Sequence, residues 1–120
     1  MAIFHKLKIK DIYKETDDTS VVTFAVPSEI SSEFKFRQGQ HLTLKADIDG
    51  EDTRRSYSLC SSPADGEWKV AVKQILGGAF STFVNESLKT SDELEVMAPS
   101  GNFGVACQPS EEKNYLFFAA

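Results

Sequence analysis

Cysteine is scarce in this chain: Cys60 and Cys107 are the only two among 120 residues, and they stand far apart in no metal-ligand spacing. A disulfide framework and a structural zinc site therefore have no support. A plant-type iron–sulfur cluster needs a Cys-x4-Cys-x2-Cys run with a further cysteine, which two isolated thiols cannot supply. So few cysteines fit a reducing, cytoplasmic setting. Long apolar runs are missing as well. Met1-Ala2-Ile3-Phe4-His5-Lys6 leads into charged residues, so neither a secretory signal nor a membrane span is expected. Basic runs are also absent and the formal net charge is −5, which leaves little for nucleic acid or an anionic membrane to hold. There is no internal repeat and no low-complexity linker. The length suits one domain that can bury a core unaided.

What is present is alternation. Val22, Phe24 and Val26 alternate with Thr23 and Ala25; Leu42, Leu44, Ala46 and Ile48 with Thr43, Lys45 and Asp47; Trp68, Val70 and Val72 with Lys69, Ala71 and Lys73. Leu94, Val96 and Ala98 repeat the period. Such a period of two marks strands with one buried face. Turn signals separate the blocks: Asp17-Asp18, Pro27-Ser28, Asp49-Gly50, Pro63-Ala64-Asp65-Gly66 and Pro99-Ser100-Gly101. The expected fold is all-β, a six-stranded antiparallel Greek-key barrel. One segment departs from the period: Phe80, Phe83, Val84 and Leu88 fall at helical spacing, which predicts a short capping α-helix over Ala79 to Leu88. Asn114 to Ala120 reads as the start of a buried strand without the glycine turn and helix it would feed. The expected division is a barrel domain over 1–112 and the first strand of a second, truncated domain over 113–120.

The chemistry concentrates in two places. Arg54-Arg55-Ser56-Tyr57-Ser58-Leu59 sets a fixed cation, an aromatic ring and hydroxyls close together near a strand end. A flavin nucleotide needs those partners: a cation for its phosphates, a wall for its flat ring and hydrogen bonds for the ring heteroatoms. Val72-Lys73-Gln74-Ile75-Leu76-Gly77-Gly78-Ala79-Phe80-Ser81 reads as a strand, a glycine turn and a helix start, where unpaired amides and the helix dipole can hold phosphate oxygens. In a regular strand Tyr57 and Ser58 point to opposite faces, so the strand is expected to end or bulge there.

In this order the two motifs resemble the FAD-binding domain of the ferredoxin–NAD(P) reductase superfamily, with its Arg-x-Tyr-Ser and Gly-x-x-Ser/Thr patterns. The resemblance extends to Phe36-Arg37-Gln38-Gly39-Gln40-His41-Leu42 and to Pro99-Ser100-Gly101-Asn102-Phe103. Within the superfamily, the segments Gln40 to Lys45 and Leu94 to Pro99 look most like the reductase subunits of phenylacetate degradation. Carried over residue by residue, the resemblance assigns Arg55 to the diphosphate, Tyr57 to the ring and ribityl chain, and Ser58 to the polar edge of the flavin. Ser56, Val72 and Lys73 fall within the matching segments. Gly77 and Gly78 would admit the diphosphate to the amides of Ala79 and Phe80, and Ser81 would supply the family's hydroxyl.

Each assignment has a plainer counterpart. Arg55 could be a solvated charge, Tyr57 a barrel tyrosine, Ser81 a helix cap and Lys73 a solvated strand lysine. Arg54 has no matching role beyond a surface residue or a secondary phosphate contact. His41 is expected to be a barrel residue without catalytic duty, and Cys60 a small buried or half-buried filler. The glycine turn before a helix favours FAD on this chain, with FMN the lesser alternative because an arginine can also hold a single phosphate; the resemblance implies no resident metal and no catalytic side chain, because the flavin carries the chemistry. NADH or NADPH, and a 2Fe-2S cluster on a ferredoxin-like domain, would belong to other parts, with an oxygenase component as electron acceptor. A flavohaemoglobin, ferredoxin-reductase or siderophore-type parent remains open. The rival from another class is a β-barrel binding module with no flavin.

Overall fold

The computed structural model describes residues 3–101. Six strands and one α-helix follow in the order β1 (Phe4–Thr16), β2 (Thr19–Ala25), β3 (His41–Ile48), β4 (Glu51–Ser58), β5 (Trp68–Lys73), α1 (Ala79–Glu86) and β6 (Glu93–Met97). All neighbours pair antiparallel in the spatial order β4-β3-β6-β1-β2-β5. β6 is therefore inserted between the β1–β2 and β3–β4 hairpins, as a Greek key requires. The two ends of the sheet, β4 and β5, are bridged only beyond Ser58. There a Leu59↔Val70 bridge forms, and the Cys60 amide donates to the Lys69 carbonyl at 2.8 Å. The barrel is thus joined along five seams and merely latched at the sixth.

Alternation explains most of this. Leu42 and Leu44, Val70 and Val72, and Leu94 and Val96 are buried from the inner faces of β3, β5 and β6. They share one core with Leu7, Ile9, Val22, Phe24, Phe34 and Phe80. Two elements depart from the simple period. β1 carries irregularities between Ile9 and Asp11 and between Lys14 and Thr16, so its inward residues shift phase after Leu7 and Ile9. In β2, Ser20, Val21, Val22, Thr23 and Phe24 are all buried, on both faces rather than one. The Pro27-Ser28 turn signal opens a 3-10 helix, Ser28–Phe34, whose Phe34 drops into the core. The Phe34 carbonyl accepts the Trp68 indole N–H at 2.7 Å, which ties that segment to β5.

α1 starts where expected and ends at Glu86 rather than Leu88, because the amides of Ser87 and Leu88 both converge on the Phe83 carbonyl. Phe80, Ser81 and Val84 are its buried residues. β6 ends at Met97, just short of Ala98. Cys60 is exposed, not the buried or half-buried filler expected; it lies at the latch, where its amide bonds the Lys69 carbonyl. Its sulfur is still partly enclosed, and burial pushes the thiol up from its ordinary value. No helix among the described residues is long and apolar enough to cross a membrane. Asn102, Phe103, Cys107 and the expected strand and domain boundary at 113–120 lie outside the described residues.

Candidate functional site

β4 divides its motif between two faces. Its register places Arg55 opposite Leu44 and Tyr57 opposite Leu42, on the inner face, while Ser56 and Ser58 lie opposite Thr43 and His41 on the outer one. No bulge reconciles Tyr57 with Ser58; the strand simply ends at Ser58, after which the Leu59 amide turns to the Gln40 carbonyl. The Ser56 and Thr43 hydroxyls bond each other at 2.9 Å, so Ser56 serves the hairpin.

Tyr57 is half-buried and its ring centroid lies 6.0 Å from that of Phe80, inclined by 35°. Phe80 is the second residue of α1, so this contact brings the β4 motif against the helix start. Burial holds the Tyr57 phenol above its ordinary value, and the neighbouring Arg55 charge works against that shift. Arg55 pairs with no carboxylate among the described residues. Its guanidinium bonds the Arg54 carbonyl at 2.7 Å and is otherwise exposed. Arg54 is quite different: it holds Asp52 at 3.2 and 3.3 Å and lies 5.0 Å over the Phe4 ring. Its charge is already answered by Asp52, as a surface residue's would be.

The glycine turn is built for its shape. Gly77 has φ +81°, open to glycine without strain, and nothing lies within 4 Å of where a Cβ would stand. Gly78 is needed for a reason internal to the chain: a Cβ there would fall 2.8 Å from Ser81 Oγ and 3.1 Å from the Ile75 carbonyl oxygen. The Ser81 hydroxyl accepts the Ile75 amide at 2.9 Å and donates to the Gly78 carbonyl at 3.3 Å. It closes the turn and does not cap the helix, which differs from its plainer reading. α1 has no side-chain N-cap and no acidic residue in its first turn, so its positive end is not neutralised from within.

The expected residues are thus brought together in part. Arg55, Tyr57 and Phe80 share one side of the β4–α1 junction. Gly77, Gly78 and Ala79 border a groove of about 580 Å³ whose far wall is Asp47, Ile48 and Asp49 of the β3–β4 hairpin. Arg55 does not line that groove. Val72 is fully buried, so only its backbone could meet a ligand, and Lys73 is exposed at the end of β5. Sequence reasoning missed Asp47, Ile48, Asp49, Thr82 and Phe83 as groove residues. Asp49-Gly50 signalled the turn, but nothing local says that this hairpin would lean over α1. His41 behaves as a barrel residue, its backbone bridging Ser100 and its Nε2 lying 3.2 Å from Ser100 Oγ.

An unpaired guanidinium, an uncapped helix start and an open glycine suit a phosphate-bearing ligand. The half-buried phenol suits a flat ring. These residues fit FAD. Among the described residues no cluster suited to a metal ion occurs.

Comparison with known proteins agrees. The model of the oxidoreductase FAD-binding domain family matches residues 6–104. One of the subunits of 1,2-phenylacetyl-CoA epoxidase from Escherichia coli K12 is 47% identical over 120 residues, all of this chain and 34% of that protein. The ferredoxin reductase component of 3-ketosteroid-9-alpha-monooxygenase from Rhodococcus rhodochrous is 37% identical over 116 residues, covering 95% of this chain and 32% of that protein. The chain spans about a third of the length of these relatives. Among solved structures, phthalate dioxygenase reductase superposes with a TM-score of 0.70 at 25% identity, covering 85% of this chain and 31% of that one. A ferredoxin NADP+ reductase from Neisseria gonorrhoeae, with bound FAD and NADP, gives 0.72 at 18% identity, covering 85% and 40%, and shares the fold.

Proposed function

This chain belongs to the oxidoreductase FAD-binding domain family, and from that premise we propose that it is the flavin module of an NAD(P)H-dependent reductase feeding electrons to an oxygenase partner in phenylacetate or related aromatic degradation. Membership sets aside the flavin-free binding module. The likeness to the phenylacetyl-CoA epoxidase protein supports the pathway, and the reductase relatives support the electron-transfer role.

Within this reading Arg55 grips the diphosphate, which its charge can do by two parallel hydrogen bonds. The amides of Ala79 and Phe80 support the phosphates from the helix start, with Gly77 keeping the approach open. Tyr57 offers its face to the ring, and Ser58, exposed at the strand end, meets the ring's polar edge. When bound, FAD would take a hydride from reduced nicotinamide and release electrons singly; the protein contributes position and electrostatics. The nicotinamide site, with the choice of NADH or NADPH, belongs to the remaining two thirds of such a reductase, as do a 2Fe-2S domain and the oxygenase contact. The setting is cytoplasmic. FMN is the lesser ligand, since a helix start beside an arginine serves a diphosphate more fully than a single phosphate.

The observation that carries this reading is Arg55 and Tyr57 on one face of β4, with Tyr57 against the Phe80 ring that opens α1. The purified chain is expected to be yellow or to turn yellow with FAD, and the released cofactor to be FAD by mass. Colour should fade in the Arg55→Ala, Tyr57→Ala double variant, and NAD(P)H turnover by this chain alone should be slight. A colourless chain with no FAD uptake would refute the assignment.

A further inference from the structure

Asn85 stands one helical turn beyond Ser81 on α1, and its carboxamide is fully engaged. Nδ2 donates to the Val72 carbonyl at 3.0 Å and to the Ser81 carbonyl at 2.9 Å. Oδ1 accepts from the Ser20 hydroxyl at 2.7 Å and the Lys14 ammonium at 3.2 Å. One side chain thereby links α1 to β5, β2 and β1. We propose that Asn85 is a positioning residue that fixes how far the start of α1 stands from β4, and so sets affinity for flavins carrying phosphate. This rests on the FAD reading above.

α1 has only two turns and no side-chain N-cap, so little in the helix itself fixes where its first amides stand. Phe80 and Val84 seat the helix in the core, and two polar pins fix it further from outside. The Ser81 hydroxyl holds the Ile75 amide in the preceding loop, and Asn85 holds the Val72 carbonyl on the strand. Gln74 adds a tie to Glu86 at 2.6 Å, but from the same loop and at the exposed side of the helix. Of these ties, that of Asn85 reaches the barrel wall. β5 is an end strand, paired along its length with β2 and bridged at Val70 to Leu59, so Asn85 ties the helix to the barrel at its less secured edge. The role calls for a carboxamide, because the site offers two acceptors and two donors at once. A carboxylate of the same shape would keep Ser20 and Lys14 as partners while facing the Val72 and Ser81 carbonyls with no hydrogen to give. Leucine would remove the side-chain tie to both carbonyls.

That asymmetry gives a test. In Asn85→Asp the attraction to Lys14 strengthens, which favours a folded variant, whereas both pins to carbonyl oxygens are lost. The probes are FAD, FMN and riboflavin, titrated by flavin fluorescence into wild type and variant, with thermal melting of each apoprotein. Expected is a loss of FAD and FMN affinity of about tenfold, the size of one buried hydrogen-bond defect, with riboflavin affinity changed less than about twofold. Equal losses for all three flavins would overturn the proposal, because they would report general damage. So would unchanged FAD affinity in a folded variant. Should Asn85→Asp fail to fold, Ser20→Ala removes one anchor from Oδ1 and leaves both amide donors. It should weaken FAD by about two- to threefold and spare riboflavin, and no FAD-selective loss would overturn the proposal. A wild-type chain that takes up no flavin would refute the FAD reading itself, whereas FAD uptake by wild type with an indifferent Asn85→Asp refutes only the positioning role.

Discussion

The two faces of β4 carry adjacent arginines with opposite fates. On the outer face Arg54 is bound to Asp52, Lys45 reaches both Asp52 and Glu95 at 3.8 Å, and Arg54 and Lys45 flank the Phe4 ring. Each of these cations has a counter-charge. On the inner face Arg55 and Tyr57 stand where the barrel wall is only latched, and the Arg55 cation has no carboxylate among the described residues. The outer wall neutralises itself, while the inner one leaves a cation without a counter-charge beside a half-buried ring, which is the contrast the proposed flavin site rests on. Two neighbours of identical type are separated by strand alternation alone.

The sharpest way to break this contrast is to remove each arginine. Arg55→Ala should weaken FAD by about 10- to 100-fold, the range for hydrogen bonds to charged groups, while Arg54→Ala leaves FAD titration nearly unchanged. Comparable losses in both would end the distinction. Next in size, Gly78→Ala should destabilise the chain by about 1–3 kcal/mol in urea unfolding, as overpacking does, because its Cβ meets Ser81 Oγ. Gly77→Ala, with open space but positive φ, should cost about 1 kcal/mol through backbone strain. If the order reverses, the turn is shaped by the ligand rather than by its own packing.

The inner face also has an alkaline signature. Burial raises the folded Tyr57 phenol above 10.0, so the folded state keeps a proton that the unfolded chain releases. Stability should therefore fall as pH rises from about 10 towards the folded value, and Tyr57→Phe should flatten that slope in thermal melts. The smallest effect belongs to the outer face. The hydrogen bond from Arg54, opposed by partial desolvation and aided by the Arg54 and Lys45 charges, lowers the Asp52 carboxyl below 3.8. Its contribution is present above that pH and lost as pH falls through the lower folded value. Asp52→Asn should remove a slight acid-side slope, since exposed pairs are worth little.

Much of this is legible in the sequence. The inner faces of β3, β5 and β6 alternate cleanly and sit alone in their blocks, so Leu42, Val70 and Val96 announce themselves. β1 does not, because irregular pairing after Ile9 slips the phase of Leu7, Ile9 and Ile12. The Arg55–Tyr57 pair and the glycine turn are legible because strand period and helix-start chemistry are local. What stays hidden is non-local: the leaning of Asp47 to Asp49 over α1, the answered charge on Arg54 and the reach of Asn85 to three strands all depend on which elements meet. By sequence Gly78 is room for a ligand. The turn itself already demands it.

The latch at Leu59 and Val70 has a mechanical consequence. A cylinder zipped along five sides and fastened by one clasp at the sixth will breathe first at that clasp, so amide hydrogens around Cys60 should exchange before those of the β1–β2 hairpin. A guest clamped by both lips of that slit would act as the missing rung, slowing exchange there far more than elsewhere.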